Sequence, residues 1–272
     1  MVNVKFLFKT VVFFLTLLFE ILKKMSFIGI IPARYASSRF PGKPLADING
    51  KSMIQRVYEQ AAKALPLVYV ATDDVRIVEC VENFNGNVIL TATSHRSGTD
   101  RCAEAVAKIQ LDRKMKFEVV VNVQGDEPFI DPLQIHQLIS CFDTSEVQIA
   151  TLVKRFSEEE DIFNPNSPKV VVNSELEALY FSRTPIPYLR DVDPCGWAKQ
   201  HVFYKHIGIY AYRTDILMLL SRLTPGLLER AESLEQLRWL ENGYRIKVAE
   251  TECETQAVDT PDDLARLLHK FV

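Results

Sequence analysis

Short apolar runs alternate along the chain with longer stretches of helical period. Residues 27–31, 67–72, 88–92, 117–123, 148–153, 169–173, 178–183, 207–212 and 245–250 are mainly apolar, with many β-branched and aromatic side chains, and read as strands. Between the first two, apolar residues at 53, 54, 57, 61 and 64 or 65 fall on one helical face. Asp131-Pro132 opens another helix with an N-cap acid and a proline at the first position. Thr260-Pro261-Asp262-Asp263 opens the last one the same way, with an acid placed as in a capping box. Strands alternating with helices in this manner are the βαβ rhythm of an α/β fold with a mainly parallel sheet. Residues 184–205, TPIPYLRDVDPCGWAKQHVFYK, break that rhythm. They are proline-rich and aromatic without clear period, and read equally as a lid, an interface segment or a surface loop. No internal repeat or low-complexity tract is present, and residues 25–272 read as a single domain.

Residues 1–24 stand outside the pattern. The run VVFFLTLLFEIL at 11–22 is interrupted by Glu20 and followed by Lys23-Lys24. It is shorter than the roughly 20 apolar residues of a spanning helix, so stable membrane insertion is not expected. No small-residue cleavage site follows it, as a signal peptide would require. The extension therefore reads as upstream sequence ahead of a start at Met25, with a weak membrane anchor as the alternative.

Composition narrows the function. An apolar content of 47% is ample for a core, and a net charge of −3 offers no dominant basic face, which argues against nucleic acid as the main partner. Five cysteines, at 80, 102, 141, 195 and 253, are scattered with no CxxC pair. That fits free thiols in a reducing cytoplasm better than disulfides or a zinc site. The histidines form no HExxH motif, so zinc catalysis has no support.

Against this mildly acidic background one loop is basic. IPARYASSRFPGKP, directly behind the first strand, places Arg34, Arg39 and Lys43 where prolines and Gly42 prevent a helix. A loop leaving a buried strand is where α/β proteins hold ligands, and three cations there suit a polyanion such as a triphosphate. The Walker A pattern is absent, so side chains and loop amides would have to do the binding; a solvated turn explains the same residues equally well. The run VVVNVQGDEP sets Asp126 at the carboxyl end of a buried strand, where a carboxylate suits Mg²⁺ or serves as a turn acid. Asp259 in QAVDTP reads, taken alone, as an acid complementing a helix N-terminus. SGTDR at 97–101 starts an amphipathic helix, either as a ligand-facing amide end or as an ordinary cap. SLEQLR at 233–238 reads by default as a solvated helix face, and His206 and Tyr210 share one face of a strand.

Together these stretches resemble the 3-deoxy-manno-octulosonate (Kdo) cytidylyltransferases, the CMP-Kdo synthetases of lipopolysaccharide assembly. The resemblance runs from Met25 to the C-terminus. It rests on IIPARYASSRFPGKPL, VATD, SGTDR, VNVQGDEP, FNPNSPKVV, ALYFSR, HIGIYAYR, LEQLRWL and VDTPDDL in that order. Asp100 stands where the family usually has Glu, and residues 1–24 have no counterpart. The resemblance implies a Rossmann-like nucleotidyltransferase fold, a homodimer, and CTP with Mg²⁺ as donor. It implies that Arg34, Arg39 and Lys43 hold the triphosphate and that Ser97, Gly98, Arg101 and Gln124 surround the cytidine. Asp126 and Asp259 would bind Mg²⁺, and Arg183, His206, Tyr210, Glu235 and Gln236 would form the Kdo pocket. The 184–205 segment would belong to the dimer-forming part. The bare residues are consistent with this chemistry, since phosphoryl transfer needs positioning and charge neutralisation more than a covalent nucleophile. Competing readings are a synthetase for another CMP-sugar, such as a sialic acid, and a nucleotide-binding module without turnover.

Overall fold

The first apolar run becomes a strand buried on both faces, and the rest of the molecule is arranged around it. The computed structural model describes residues 27–37, 39–254 and 256–270, so the 1–24 extension lies outside the described residues. The first half contains β1 (Phe27–Ala33), β2 (Asp47–Ile48), β3 (Lys51–Ser52), α1 (Met53–Ala61), β4 (Val68–Thr72), α2 (Val75–Asn83), β5 (Val88–Leu90), α3 (Gly98–Arg113), β6 (Val119–Asn122) and α4 (Pro132–Ser140). The second half adds β7 (Ile149–Arg155), β8 (Lys169–Val172), β9 (Ala178–Ser182), α5 (Trp197–Gln200) and β10 (Tyr204–Arg213). It closes with α6 (Thr214–Leu220), α7 (Leu227–Glu232), α8 (Gln236–Glu241), β11 (Ile246–Glu250) and α9 (Pro261–Lys270).

The main sheet runs β11-β7-β10-β6-β1-β4-β5, with β8 and β9 attached beside β10. β1 pairs in parallel with β4 and β6, β4 with β5, and β7 with β11. β10 is antiparallel to both β6 and β7, so along this path it alone runs the other way. The period-2 alternation of β1 explains its continuous apolar run. Ile28 and Ile30 face one core with Cys102, Val106 and Ile109 of α3, while Phe27, Ile31 and Ala33 face the other with Ile54 and Val57 of α1. Helices on both faces leave the carboxyl ends of β1, β4 and β6 opening onto a common rim.

The helix starts follow the cap chemistry of the sequence. Asp131 accepts from the Leu133 N–H and forms a capping box with Gln134 ahead of Pro132. Ser52 caps α1 and Ser97 caps α3 through the Asp100 N–H. Residues 184–205 are not a bare loop. A short turn at Pro194–Gly196 and helix α5 build a small core of Trp197, Phe203 and Ile162, with Leu189 and Val192 against it. The Trp197 indole N–H donates to the Val192 carbonyl at 3.0 Å. β10 starts three residues earlier than its apolar pattern suggests, because Tyr204 to His206 pair with β7, and a bulge follows between Ile207 and Tyr210.

Candidate active site

The rim loops meet around Lys43. Behind β1 the basic loop turns back on itself: the Gly42 N–H donates to the Tyr35 carbonyl at 2.9 Å, and Gly42 has φ +73° with the Tyr35 ring close by. A side chain there would be strained by the backbone and crowded by the ring. The turn directs Lys43 inward, its side chain 13% exposed. Its Nζ donates to Asp126 Oδ2 at 2.8 Å and to Asp259 Oδ1 at 3.4 Å. Arg39 Nη2 reaches the same Asp259 oxygen at 3.0 Å. Two acids 133 positions apart in sequence thus share one ammonium group.

Backbone contacts hold the two acids together as well. The Val258 N–H donates to the Asp126 carbonyl at 2.9 Å, and Val258 is fully buried. One oxygen of Asp263 accepts from the Asp259 N–H at 3.0 Å, the Thr260 N–H at 2.8 Å and the Thr260 hydroxyl at 2.9 Å. Burial alone would raise the Asp263 carboxyl, but Thr260, Arg266 and the two N–H groups outweigh it and bring the pKa to about 2. On the other loop, a Cβ at Gly125 would sit 2.9 Å from the Pro32 carbonyl oxygen. Glycine therefore lets the 124–127 turn press against the end of β1.

The resulting cavity has a volume of about 240 Å³ and is lined by Arg34, Arg39, Lys43, Asp126 and Asp259, with Ser97, Gly98, Arg101 and Gln124 among the rest of its wall. All nine residues expected for the nucleotide and metal therefore border one space. Arg101 and Gln124 are also tied into the wall around the cavity. Arg101, only 4% exposed, pairs with Asp73 at 2.9 Å and donates to the Thr91 hydroxyl at 2.6 Å. The Gln124 amide donates to the Gly208 carbonyl at 2.9 Å, tying the wall to β10. Among the described residues no cluster of three or more His, Cys, Asp and Glu side chains is arranged to hold a metal. Two carboxylates converging on one cation nevertheless fit Mg²⁺, which typically takes one or two carboxylates and completes its shell with water and substrate phosphates.

The residues expected for the acceptor lie elsewhere, and four of the five are neighbours of the α3 start or of one another. Tyr210 sits opposite Asn122 in the sheet and its ring lies 5.3 Å from that of His206. His206 pairs with the Thr151 hydroxyl at 3.0 Å, and burial lowers its pKa to about 3, so the imidazole is neutral. Glu235 accepts from the Thr99 hydroxyl at 2.8 Å, and burial lifts its carboxyl above the ordinary range. Gln236 follows it, buried at the start of α8. Arg183 stands apart. Its guanidinium donates to the carbonyls of Glu232 at 2.6 Å, Pro165 at 2.9 Å and Ser233 at 3.2 Å, bracing the left-handed turn at Ser233.

A family profile described as Cytidylyltransferase matches residues 28–247. The 3-deoxy-manno-octulosonate cytidylyltransferase of Parabacteroides distasonis is 58% identical over 248 residues, covering 90% of this chain and 97% of that one. The chain belongs to the 3-deoxy-manno-octulosonate cytidylyltransferase family. The protein of the same name from Bacteroides thetaiotaomicron is 57% identical over 88% of this chain and 96% of its own length. A solved CMP:2-keto-3-deoxy-manno-octonic acid synthetase complexed with CTP superposes with a TM-score of 0.81 at 43% identity, covering 90% of this chain and 98% of that chain. The mixed sheet described above is thus a cytidylyltransferase sheet.

Some residues of this cytidylyltransferase site escaped the reading of the sequence. Asp263 was legible as a capping acid, but a cap acid gives no sign that it also fixes Asp259. Arg96 lines the cavity beside Ser97 and makes no ion pair with any of the described residues. In sequence it is one more surface cation. Thr99 and Tyr212 lie within motifs already noticed, yet only the packing of α3, α8 and β10 shows that they belong beside Glu235.

Proposed function

We propose that this protein activates Kdo by transferring the cytidylyl group of CTP to it, releasing pyrophosphate and forming CMP-Kdo. The observation that carries this reading is the Lys43 ammonium shared by Asp126 and Asp259 inside a cavity edged with arginines. Family membership supplies the acceptor class. In this reading the anomeric hydroxyl oxygen of the sugar forms a bond to the α-phosphorus while the bond from that phosphorus to the pyrophosphate oxygen breaks. Arg34, Arg39 and Lys43 offset the negative charge that gathers on the departing pyrophosphate. The Gly98 end of α3 and the Gln124 amide bound the space for the cytosine. Asp126 and Asp259 would hold Mg²⁺, whose charge, when bound, neutralises phosphate oxygens and makes the attacking hydroxyl more acidic.

The same reading assigns a homodimer and a place in lipopolysaccharide assembly, both supported by the resemblance of the motifs. It assigns the cytoplasm as the working compartment. All five cysteines are free, which suits a reducing environment, and no helix among the described residues is long and apolar enough to cross a membrane. The test is pyrophosphate release from CTP with a panel of acidic sugars that includes Kdo and a sialic acid. Rapid release with Kdo alone is expected. Equal release with the sialic acid, or none with Kdo, would overturn the assignment.

A further inference from the structure

The start of α3, on the cytidine side of this site, also supports a side chain on the acceptor side. Thr99 is the second residue of α3 and 2% exposed, and its hydroxyl donates to Glu235 Oε2. The other Glu235 oxygen, the hydroxyls of Tyr210 and Tyr212 and the Gln236 amide nitrogen are buried without a well-formed hydrogen bond, although the Ser97 side chain also approaches Glu235, Thr151 approaches Tyr210 and Thr99 approaches Tyr212. The two tyrosine rings stack 5.9 Å apart, and both meet Trp239 edge-on. Buried polar atoms are nearly always hydrogen-bonded, so several left over in one place mark where a polar ligand completes the bonding. Arg238 comes no nearer than 3.6 Å to the spare Glu235 oxygen. It is committed instead to Glu229, at 2.7 and 2.5 Å.

A carboxylate with one oxygen anchored has its other oxygen aimed. We propose that Thr99 is a positioning residue for the acceptor: its hydroxyl holds Glu235 so that the free oxygen faces the sugar hydroxyls. This rests on the acceptor reading given above. Thr99 itself touches neither substrate in this assignment. It makes the nucleotide-side helix the support for the acceptor-side carboxylate.

Thr99→Val removes the hydroxyl at nearly constant volume, Thr99→Ser keeps it, and Glu235→Gln probes the residue it supports. The measurements are KM for Kdo, Kd for CTP by calorimetry, and thermal melting of each variant. Thr99→Val should raise KM for Kdo about tenfold and leave Kd for CTP within about twofold, with Thr99→Ser close to wild type in both. An unchanged KM for Kdo in Thr99→Val, or a rise in both constants together, would overturn the proposal. Should Thr99→Val fail to fold, Thr99→Ala makes the same comparison with a smaller side chain. If Glu235→Gln impairs Kdo use while Thr99→Val does not, the positioning role alone is wrong. If Glu235→Gln leaves Kdo use untouched, the acceptor reading fails and this inference fails with it.

Discussion

Lys43 sets the electrostatics of the site, because its ammonium offsets the charge of Asp126 and Asp259, with Arg39 sharing Asp259. Two carboxylates held so close together would repel without a cation between them. The lysine therefore keeps the pair assembled, and the same donor set suits a divalent ion once substrate phosphates are present. If the pair holds Mg²⁺ as proposed, Asp126→Asn and Asp259→Asn should each lower turnover on the order of 10²-fold, since a single carboxylate would leave the ion badly placed. Their combination should cost less than the product of the two, because the pair acts as a unit. Folding should survive in both, with changes of about 1 kcal/mol in unfolding free energy. Turnover against Mg²⁺ concentration for wild type, both single variants and the double variant checks this. Near wild-type activity of either single variant at sub-saturating Mg²⁺ would remove that residue from the set.

At the scale of elements, the site depends on how closely two loops approach. The 124–127 turn lies against the end of β1, with no room for a Cβ at Gly125 beside the Pro32 carbonyl oxygen. Backbone cannot swing aside as a flexible side chain can, so Gly125→Ala must move the turn and Asp126 with it. A displacement of about 1 Å in a positioning group can cost on the order of 10² in rate. Gly125→Ala should accordingly reduce turnover at least about tenfold with little loss of thermal stability, as the buried strands on either side are untouched. Full turnover in this variant would show that the turn accommodates a methyl group without disturbing Asp126. The helix starts are the other positioning element. Asp263 and Ser97 were readable as caps; Ser97 caps its own helix, and Asp263 proves to fix Asp259 inside the site as well.

At the scale of the whole molecule, one sheet gathers residues from both ends of the chain onto one rim. The segment at 184–205 forms a separate aromatic unit with its own small core. Phe163, 46% exposed, and Tyr188, 76% exposed, border Trp197 and leave apolar rings open to solvent. Exposed aromatic patches of this kind commonly mark interfaces. If the homodimer forms through this unit, Phe163→Asp combined with Tyr188→Asp should convert dimer to monomer in sedimentation equilibrium. Persistence of the dimer would place the interface elsewhere.

The sequence determined the elements and the chemical inventory. Burial on both faces leaves a parallel strand no option but a continuous apolar run, and helix caps use few residue types, so β1, β6 and the starts of α4 and α9 were legible. The ordered motifs likewise carried the family. Tertiary structure alone decided which distant residues share a space, since nothing local in QAVDTP relates Asp259 to Lys43 or Asp126. Reversal of β10 was also beyond the sequence, because an apolar strand reads the same in either direction. Arg183 shows the remaining limit. The resemblance implies a place for it in the acceptor pocket, and in the fold three carbonyls take three of its five N–H donors, which nothing local in the sequence signals. Hydrogen-bond partners are chosen by whatever the chain brings within about 3 Å, and that distance is fixed only by the folded arrangement.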